Sequence, residues 1–272
     1  MADFLAGRDF VYRQGRVLEQ RLFATLFEAA APSGVVRALE AYRNDDGGLG
    51  HGLEPDKRDP ASHPLDLQFG FEVLDLADAD SDVPERAADF LASIADERGA
   101  IPFLLPSARD FPHASHLALD VFYAPHVWPT SSMCAWLHRF GVRHPWLDRA
   151  TDWVRGELER APPTDAHAIK EALRFVRHTG GDAAPIVAQL EHASYFTADA
   201  DDEEYGVTPL ELEGVDFPQE QLDAHLRRLA SEQDGDGGWP LRWEPPSEDS
   251  RLDWRAHRTV TALRTLRRHG LA

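Results

Sequence analysis

An internal repeat constrains this chain more than any single residue does. Leu39-Glu-Ala-Tyr-Arg-Asn-Asp-Asp-Gly-Gly48 has a counterpart in Leu229-Ala-Ser-Glu-Gln-Asp-Gly-Asp-Gly-Gly238, and the match runs on to Glu54-Pro55 and Glu244-Pro245. A degenerate third copy, Leu91 to Pro102, aligns with Leu229 to Pro240. Each copy places a helix end, an acidic glycine-rich turn and a large apolar residue in that order. Such a unit hides its apolar face only by stacking on its neighbours, so repetition sets the architecture. The copies fit a period of roughly 50 residues, with further degenerate units beginning near Phe140 and Leu190.

Nearly every periodic segment reads as helix. Over 8–29, Phe10, Val11, Val17, Leu18, Leu22, Leu26 and Phe27 recur at helical spacing. Ser33 caps a second helix that stops at Gly47-Gly48. The segment 65–77 is apolar on two faces (Leu67, Phe71, Leu74; Phe69, Val73, Leu76), which predicts packing on both sides. Further helices are expected at 83–95, 130–140, 145–159, 164–178, 183–192, 217–231 and 253–269. Asp216 and Gln219 form a capping box for the penultimate one, and Gly270 closes the last. No stretch joins strand alternation to a hairpin turn, so the chain is all-α. It reads as one domain, 1–272, built as a closed two-layer ring of helical hairpins. The connections 44–64, 97–129, 193–215 and 233–252 are long and rich in Gly, Pro, Asp, His and aromatics. Loops of more than about 12–15 residues in a compact domain are usually functional.

A net charge of −19 argues against nucleic acid or an anionic membrane surface as the main partner, because both recruit basic patches. Cys134 is alone, which excludes an intrachain disulfide. No run approaches the roughly 18 apolar residues of a membrane span and no signal-peptide core opens the chain, so a cytoplasmic location is expected. Lys57 and Lys170 are the only lysines. Base composition explains that skew without a function.

Gln233-Asp-Gly-Asp-Gly-Gly-Trp239 resembles the QW repeat of squalene-hopene and oxidosqualene cyclases. Asn44 to Pro55 looks like the related repeat of protein prenyltransferase β-subunits. The resemblance implies a single α/α toroid of the terpenoid cyclase and prenyltransferase superfamily, with Gln233 and Trp239 bracing the ring. Asp199-Ala-Asp-Asp202 matches the DxDD string of the cyclases, which would make Asp201 the proton donor. A donor of that kind is a carboxylic acid kept protonated in a dry cavity. Here the string runs into the acidic Glu203-Glu204, so a solvated loop is the competing reading. The zinc-ligand set of the prenyltransferases lacks its Cys, and the magnesium-binding DDxxD pattern lacks its third Asp. No metal and no cofactor are therefore expected.

The 51–66 loop gathers His51, Glu54, Asp56, Lys57, Arg58, Asp59, His63 and Asp66, and should border the cavity mouth. His51, Asp56 and His63 can form an acid/base set. Glu54 either joins them or caps a helix N-terminus. His113, His116 and Asp120 make a second group of metal-ligating residue types, for which loop histidines bonded to solvent or protein are the competing reading. Trp128, Tyr123, Tyr205, Trp239, Trp243 and Trp254, with Arg58, are the candidate ligand-binding residues; π faces in such loops serve carbocations, sugars or plain packing. The leading expectation is a terpenoid-cyclase-like protein binding a small apolar, possibly isoprenoid, ligand, with acid-initiated cyclisation through Asp201 or the Glu54/Asp56 loop. A non-catalytic binding or interaction module and a carbohydrate-active toroid are the alternatives. Oligomeric state is left open.

Overall fold

The three glycine-rich turns fold alike. Asn44, Asp96 and Asp234 donate their N–H to the carbonyls of Gly48, Ala100 and Gly238 (3.1, 2.9 and 2.8 Å), and Gly47, Gly99 and Gly237 donate back across the turn. Those glycines have φ of 89, 93 and 95°, where a side chain is strained. The apolar residue that follows, Leu49, Ile101 or Trp239, is wholly buried. Ile101 N–H donates to Thr130 Oγ1 (3.0 Å) and Trp239 N–H to Thr259 Oγ1 (3.1 Å), so two of the turns dock on a helix threonine in the same manner.

Gln233 clasps the backbone of Asp3, accepting from its N–H at 2.6 Å and donating to its carbonyl at 2.9 Å. The Trp239 indole donates to Leu229 O at 2.8 Å. Both side chains tie a helix end to its neighbour. Trp239 is therefore a brace, and its candidacy as a ligand-binding residue is withdrawn.

The computed structural model describes all 272 residues. It is all-helical, with eleven α-helices, short 3-10 turns and only isolated β-bridges. The helices are α1 (Phe4–Gln14), α2 (Val17–Phe27), α3 (Ser33–Leu39), α4 (Pro64–Leu76), α5 (Val83–Ile94), α6 (Val127–Arg139), α7 (Pro145–Arg160), α8 (Ala166–Thr179), α9 (Ala184–Val187), α10 (Gln219–Ser231) and α11 (Glu248–Arg268). No helix is long and apolar enough to cross a membrane.

Several boundaries differ from the sequence expectation. Ser33 makes no cap: it is the first residue of α3, with Pro32 at the N-cap, and that helix ends at Leu39, well before Gly47-Gly48; α11 begins at Glu248 rather than 253. The 8–29 helix is two, broken where Gly15 turns extended. There Arg16 sends its guanidinium to the buried Glu19 (2.6 Å) and to the carbonyls of Gly52 and Leu53 (3.3 and 2.8 Å). The Asp216/Gln219 capping box does not form, because Pro218 takes the N-cap position of α10 and Gln219 turns to Asp223. A capping box appears instead at Thr208 and Glu211. The 183–192 helix keeps only four α-helical residues before continuing as a 3-10 turn.

One apolar core of 46 buried residues runs from Val11 on α1 to Leu266 on α11, which supports a single domain. Neighbouring helices follow a cyclic order. α11 packs on α2, α2 on α4, α4 on α6 and α6 on α8. The segment after α9 returns through Arg177 with Glu213 and the 3-10 turn at Pro209–Glu211 to α10, which packs on α11. Ala2 N–H meets Leu271 O at 3.2 Å, so the two ends also touch. That order is compatible with a ring of hairpins.

The glycine turn is directly testable. At Gly237 an added Cβ would lie 2.2 Å from Ala6 O in the left-handed region, whereas at Gly235 it would meet nothing. Gly237→Ala should cost about 2–4 kcal/mol by strain and overpacking, and Gly235→Ala close to nothing. Urea midpoints of the two variants check the contrast.

Candidate functional site

The 51–66 loop is held from below by a buried ion pair. Lys57 Nζ and Asp66 Oδ2 are in contact with both side chains fully buried, and Asp66 Oδ1 accepts the N–H of Glu54 at 2.9 Å. Asp66 is the third residue of α4, so the helix N-terminus favours its charge. His63 is equally committed. Its Nδ1 accepts from Leu105 N–H (2.9 Å), which places its proton on Nε2, 2.8 Å from Asp59 Oδ2. With both nitrogens used it has no free lone pair and acts as a positioning residue. Ala114 N–H donates to Asp56 O (2.7 Å) and Arg58 N–H to Pro112 O (2.9 Å), docking the 109–126 segment on the loop.

Asp56 is the residue this scaffold presents. Its Oδ1 accepts two indole N–H groups, from Trp243 at 3.1 Å and from Trp254 at 2.9 Å. Its Oδ2 lies 3.5 Å from His116 Nε2. Burial drives its carboxyl up and the two indoles only partly offset this, leaving it at about 6. Burial and the nearby His167 push His116 below its ordinary value. The pair thus meets on one carboxylate oxygen, with the other fixed.

Aromatic rings enclose this pair. Phe103 packs on Trp128 (5.0 Å between centroids), Trp128 stacks on His167 (6.2 Å), and His167 stacks on Tyr205 (5.4 Å). Tyr205 meets Trp243 edge-on (5.4 Å), and Trp243 holds Asp56. From the other side Phe103 touches Phe122 (5.7 Å), which touches His116 (6.1 Å). The circuit closes through His116 and Asp56 into a collar. His116 and Tyr205 keep 45% and 41% exposure, so the collar is open to solvent. Burial, with the charges of Glu211 and Asp56, raises the Tyr205 phenol to about 12, so it donates a hydrogen bond at neutral pH.

Charged side chains from α4, α8 and α11 also gather around Glu72. Glu72 on α4 lies 3.8 Å from His257 on α11, and it feels Lys170 and Arg174 on α8. Burial would raise its carboxyl, but these partners outweigh burial and hold it near 2. Its side chain is nonetheless 45% exposed. Glu171 beside it pairs with Arg174 and accepts from Ser132 Oγ at 2.9 Å.

Several expected residues lie elsewhere. Asp201 is exposed in the 198–206 loop, where its N–H binds Asp199, so proton donation into the ring through it fails. His51 is exposed in a left-handed turn and bonds Asn44 Oδ1 at 2.9 Å, away from Asp56. Glu54 does not cap a helix: Oε2 is buried without a partner, and burial beside Asp56 raises its carboxyl strongly. Its repeat twin Glu244 is 86% exposed. Arg58 pairs with Asp253 at 3.2 Å, and Tyr123 lies under the Arg109 guanidinium at the collar's edge. The His113/His116/Asp120 group disperses. His113 binds Phe111 O, Asp120 binds Arg109, and His116 alone reaches Asp56. Trp128, Tyr205, Trp243 and Trp254 converge as expected. Sequence reasoning missed His167, Glu72, Lys170, His257 and Arg258; the scarcity of lysine was the one available signal.

No family model and no curated protein matches the chain. Among solved structures, it is similar in fold to one described as "Crystal structure of a protein from Actinoplanes", at a TM-score of 0.55 and 16% identity, covering 97% of each chain. That likeness concerns the fold alone.

The carboxyl of Asp56 yields a signed prediction. A raised folded-state value means its contribution to stability is fully present below pH 3.8 and is lost as the pH rises through about 6. Asp56→Asn keeps an oxygen for both indoles. It should raise stability at pH 8 by up to about 3 kcal/mol and leave it unchanged below pH 4. Urea denaturation at the two pH values measures this, and an equal gain at both would contradict the titration.

Proposed function

We propose that this chain is an α/α toroid whose aromatic collar binds a small, polar, ring-bearing molecule of the carbohydrate class, and that Asp56 and His116 exchange a proton with it. The observation behind this reading is a carboxyl near 6 with one oxygen pinned by two indoles and the other facing a histidine. Because Oδ1 already accepts two N–H groups, a proton on Asp56 resides on Oδ2, where a ligand oxygen between it and His116 can take it. A group titrating near 6 serves as either acid or base close to neutrality. His116, held low by burial, accepts a proton at the same pH. Trp243, Tyr205 and Trp128 offer ring faces for stacking, and the charged cluster around Glu72 suits hydroxyl-rich ligands.

The terpenoid-cyclase-like reading stands second. It is favoured by π faces surrounding an acid, the arrangement that stabilises a carbocation formed by protonating an alkene. With Asp201 on the surface, Asp56 takes the donor role. Glu72, Lys170 and Arg174 count against a long apolar substrate.

Thermal-shift titration with monosaccharides and with polyprenyl diphosphates separates the two, and mass spectrometry of long incubations reads turnover. The expected result is stabilisation by sugars, with Asp56→Asn lowering turnover by about 10²–10⁴ while binding persists, and Trp243→Ala weakening binding. Stabilisation by polyprenyl compounds alone would select the second reading, and turnover unaffected in Asp56→Asn would remove the acid/base role from both.

A further inference from the structure

We infer that Tyr205, His167 and Asp165 form a proton relay beside Asp56, so that the collar takes a proton from one atom of its ligand and returns one to another. The inference rests on the collar being a ligand site and adds the class of reaction, an isomerisation by proton movement.

The relay is a chain of contacts. Nδ1 of His167 lies 3.4 Å from Asp165 Oδ1, and its Nε2 lies 3.2 Å from the Tyr205 hydroxyl. Burial would raise the Asp165 carboxyl, but His167 and the N–H groups of Ala168 and His167 outweigh burial and hold it below the usual range. Asp165 is thus an anion that only accepts, and it draws the imidazole proton to Nδ1. Nε2 keeps a lone pair, and the Tyr205 phenol donates to it. The lone pairs of the phenol oxygen are left for the ligand. A reactive hydroxyl backed by a histidine, itself oriented by a carboxylate, is a set suited to proton transfer.

Contacts also place this set in the same collar as Asp56. Tyr205 meets Trp243 edge-on at 5.4 Å, and the Trp243 indole donates to Asp56 at 3.1 Å. The charge of Asp56 is felt at the Tyr205 phenol, and that of His167 at His116. Tyr205 is exposed, whereas the His167 and Asp165 side chains are half-buried. Backbone bonds fix their spacing: Ala166 N–H donates to Ser194 O at 2.9 Å and Val207 N–H to Tyr195 O at 2.7 Å, tying the segment that carries Tyr205 to the start of α8.

The protons balance. The C–H beside the carbonyl of an open-chain sugar gives its proton to the Tyr205 oxygen while the phenol proton passes to His167 Nε2. An imidazolium beside the Asp165 carboxylate results. The C–H electron pair stays on the ligand as an enediolate, whose oxygen takes the proton of Asp56 Oδ2. Return of a proton to the same or the neighbouring carbon completes the isomerisation, and no oxidant enters. A charged His167 disfavours a charged His116, so one imidazole is loaded at a time.

Histidine 15N NMR at pH 8, with the His167 signals assigned by their loss in His167→Gln, reads the relay without a ligand. The Nδ1–H tautomer is expected, and Tyr205→Phe should shift Nε2. Asp165→Asn should lower the Nδ1–H share while keeping the N-cap of α8, because Asn caps as well as Asp. An Nε2–H tautomer in wild type overturns the relay. Glucose, mannose and fructose in D2O, followed by 1H NMR, test the transfer. The sugar that stabilises wild type should gain deuterium at the carbon beside its carbonyl. Tyr205→Phe keeps the ring and should lower that exchange at least about a hundredfold, with Kd changed by less than about threefold. A sugar that binds without exchange, or exchange unaffected in Tyr205→Phe, overturns the relay and leaves the collar reading standing. If none of these sugars binds while the tautomer and the Nε2 shift are as expected, the relay stands and the carbohydrate reading falls.

Discussion

The buried ion pair between Lys57 and Asp66 is the constraint on which the site depends. An ammonium and a carboxylate taken out of water are tolerable only together, and losing one partner of such a pair typically costs about 3–5 kcal/mol. Asp66 belongs to the first turn of α4, so the pair fastens a long connection to a rigid helix. The second oxygen of Asp66 takes the N–H of Glu54, which fixes the chain on both sides of residue 56. Asp56 is thereby held toward Trp243 and Trp254, nearly 200 residues away in sequence. The placement of the Asp56 carboxyl follows from a salt bridge it takes no part in.

Two carboxylates, Asp56 in the loop and Glu72 on α4, are driven in opposite directions. Asp56 is raised to about 6 by burial that indoles cannot offset. Glu72, part-exposed, is lowered to about 2 because His257, Lys170 and Arg174 answer its charge. Pairs of titratable groups pushed apart in this way are how one site keeps an acid and an ion together at one pH. The aromatic collar and the charged cluster around Glu72 thus differ in what they can do.

How much of this was legible depends on the distance over which each property is decided. The glycine turns and the all-helical class were legible because they rest on local chemistry repeated in register; the bracing by Gln233 and Trp239 followed from the resemblance to the QW repeat. The 51–66 loop stood out by its residue types, yet sequence could not separate Asp56 from His63. That distinction depends on Leu105 N–H and two distant indoles reaching them. Asp201 attracted attention through a short string in a chain with 47 acidic residues, where such strings arise readily. His167, Lys170 and Arg258 sit on helices whose facing partners are defined only when the ring closes. Capping also misled: Asp216 and Gln219 have the right spacing, but Pro218 between them fixes a different entry into α10.

Arg16 carries one more implication. At the break between the first two helices, its guanidinium rests between the rings of Tyr42 and Phe69 while gripping Gly52 and Leu53. Glu19 below and Asp253 beside it (4.0 Å) complete its surroundings. The side chain works as a strut between the N-terminal hairpin and the strip of backbone that carries Asp56. Any displacement of that strip is therefore transmitted to α1 and α2, which also hold the clasp on the last turn through Asp3 and Gln233. The seam where the ring closes and the mouth where it opens are mechanically one element.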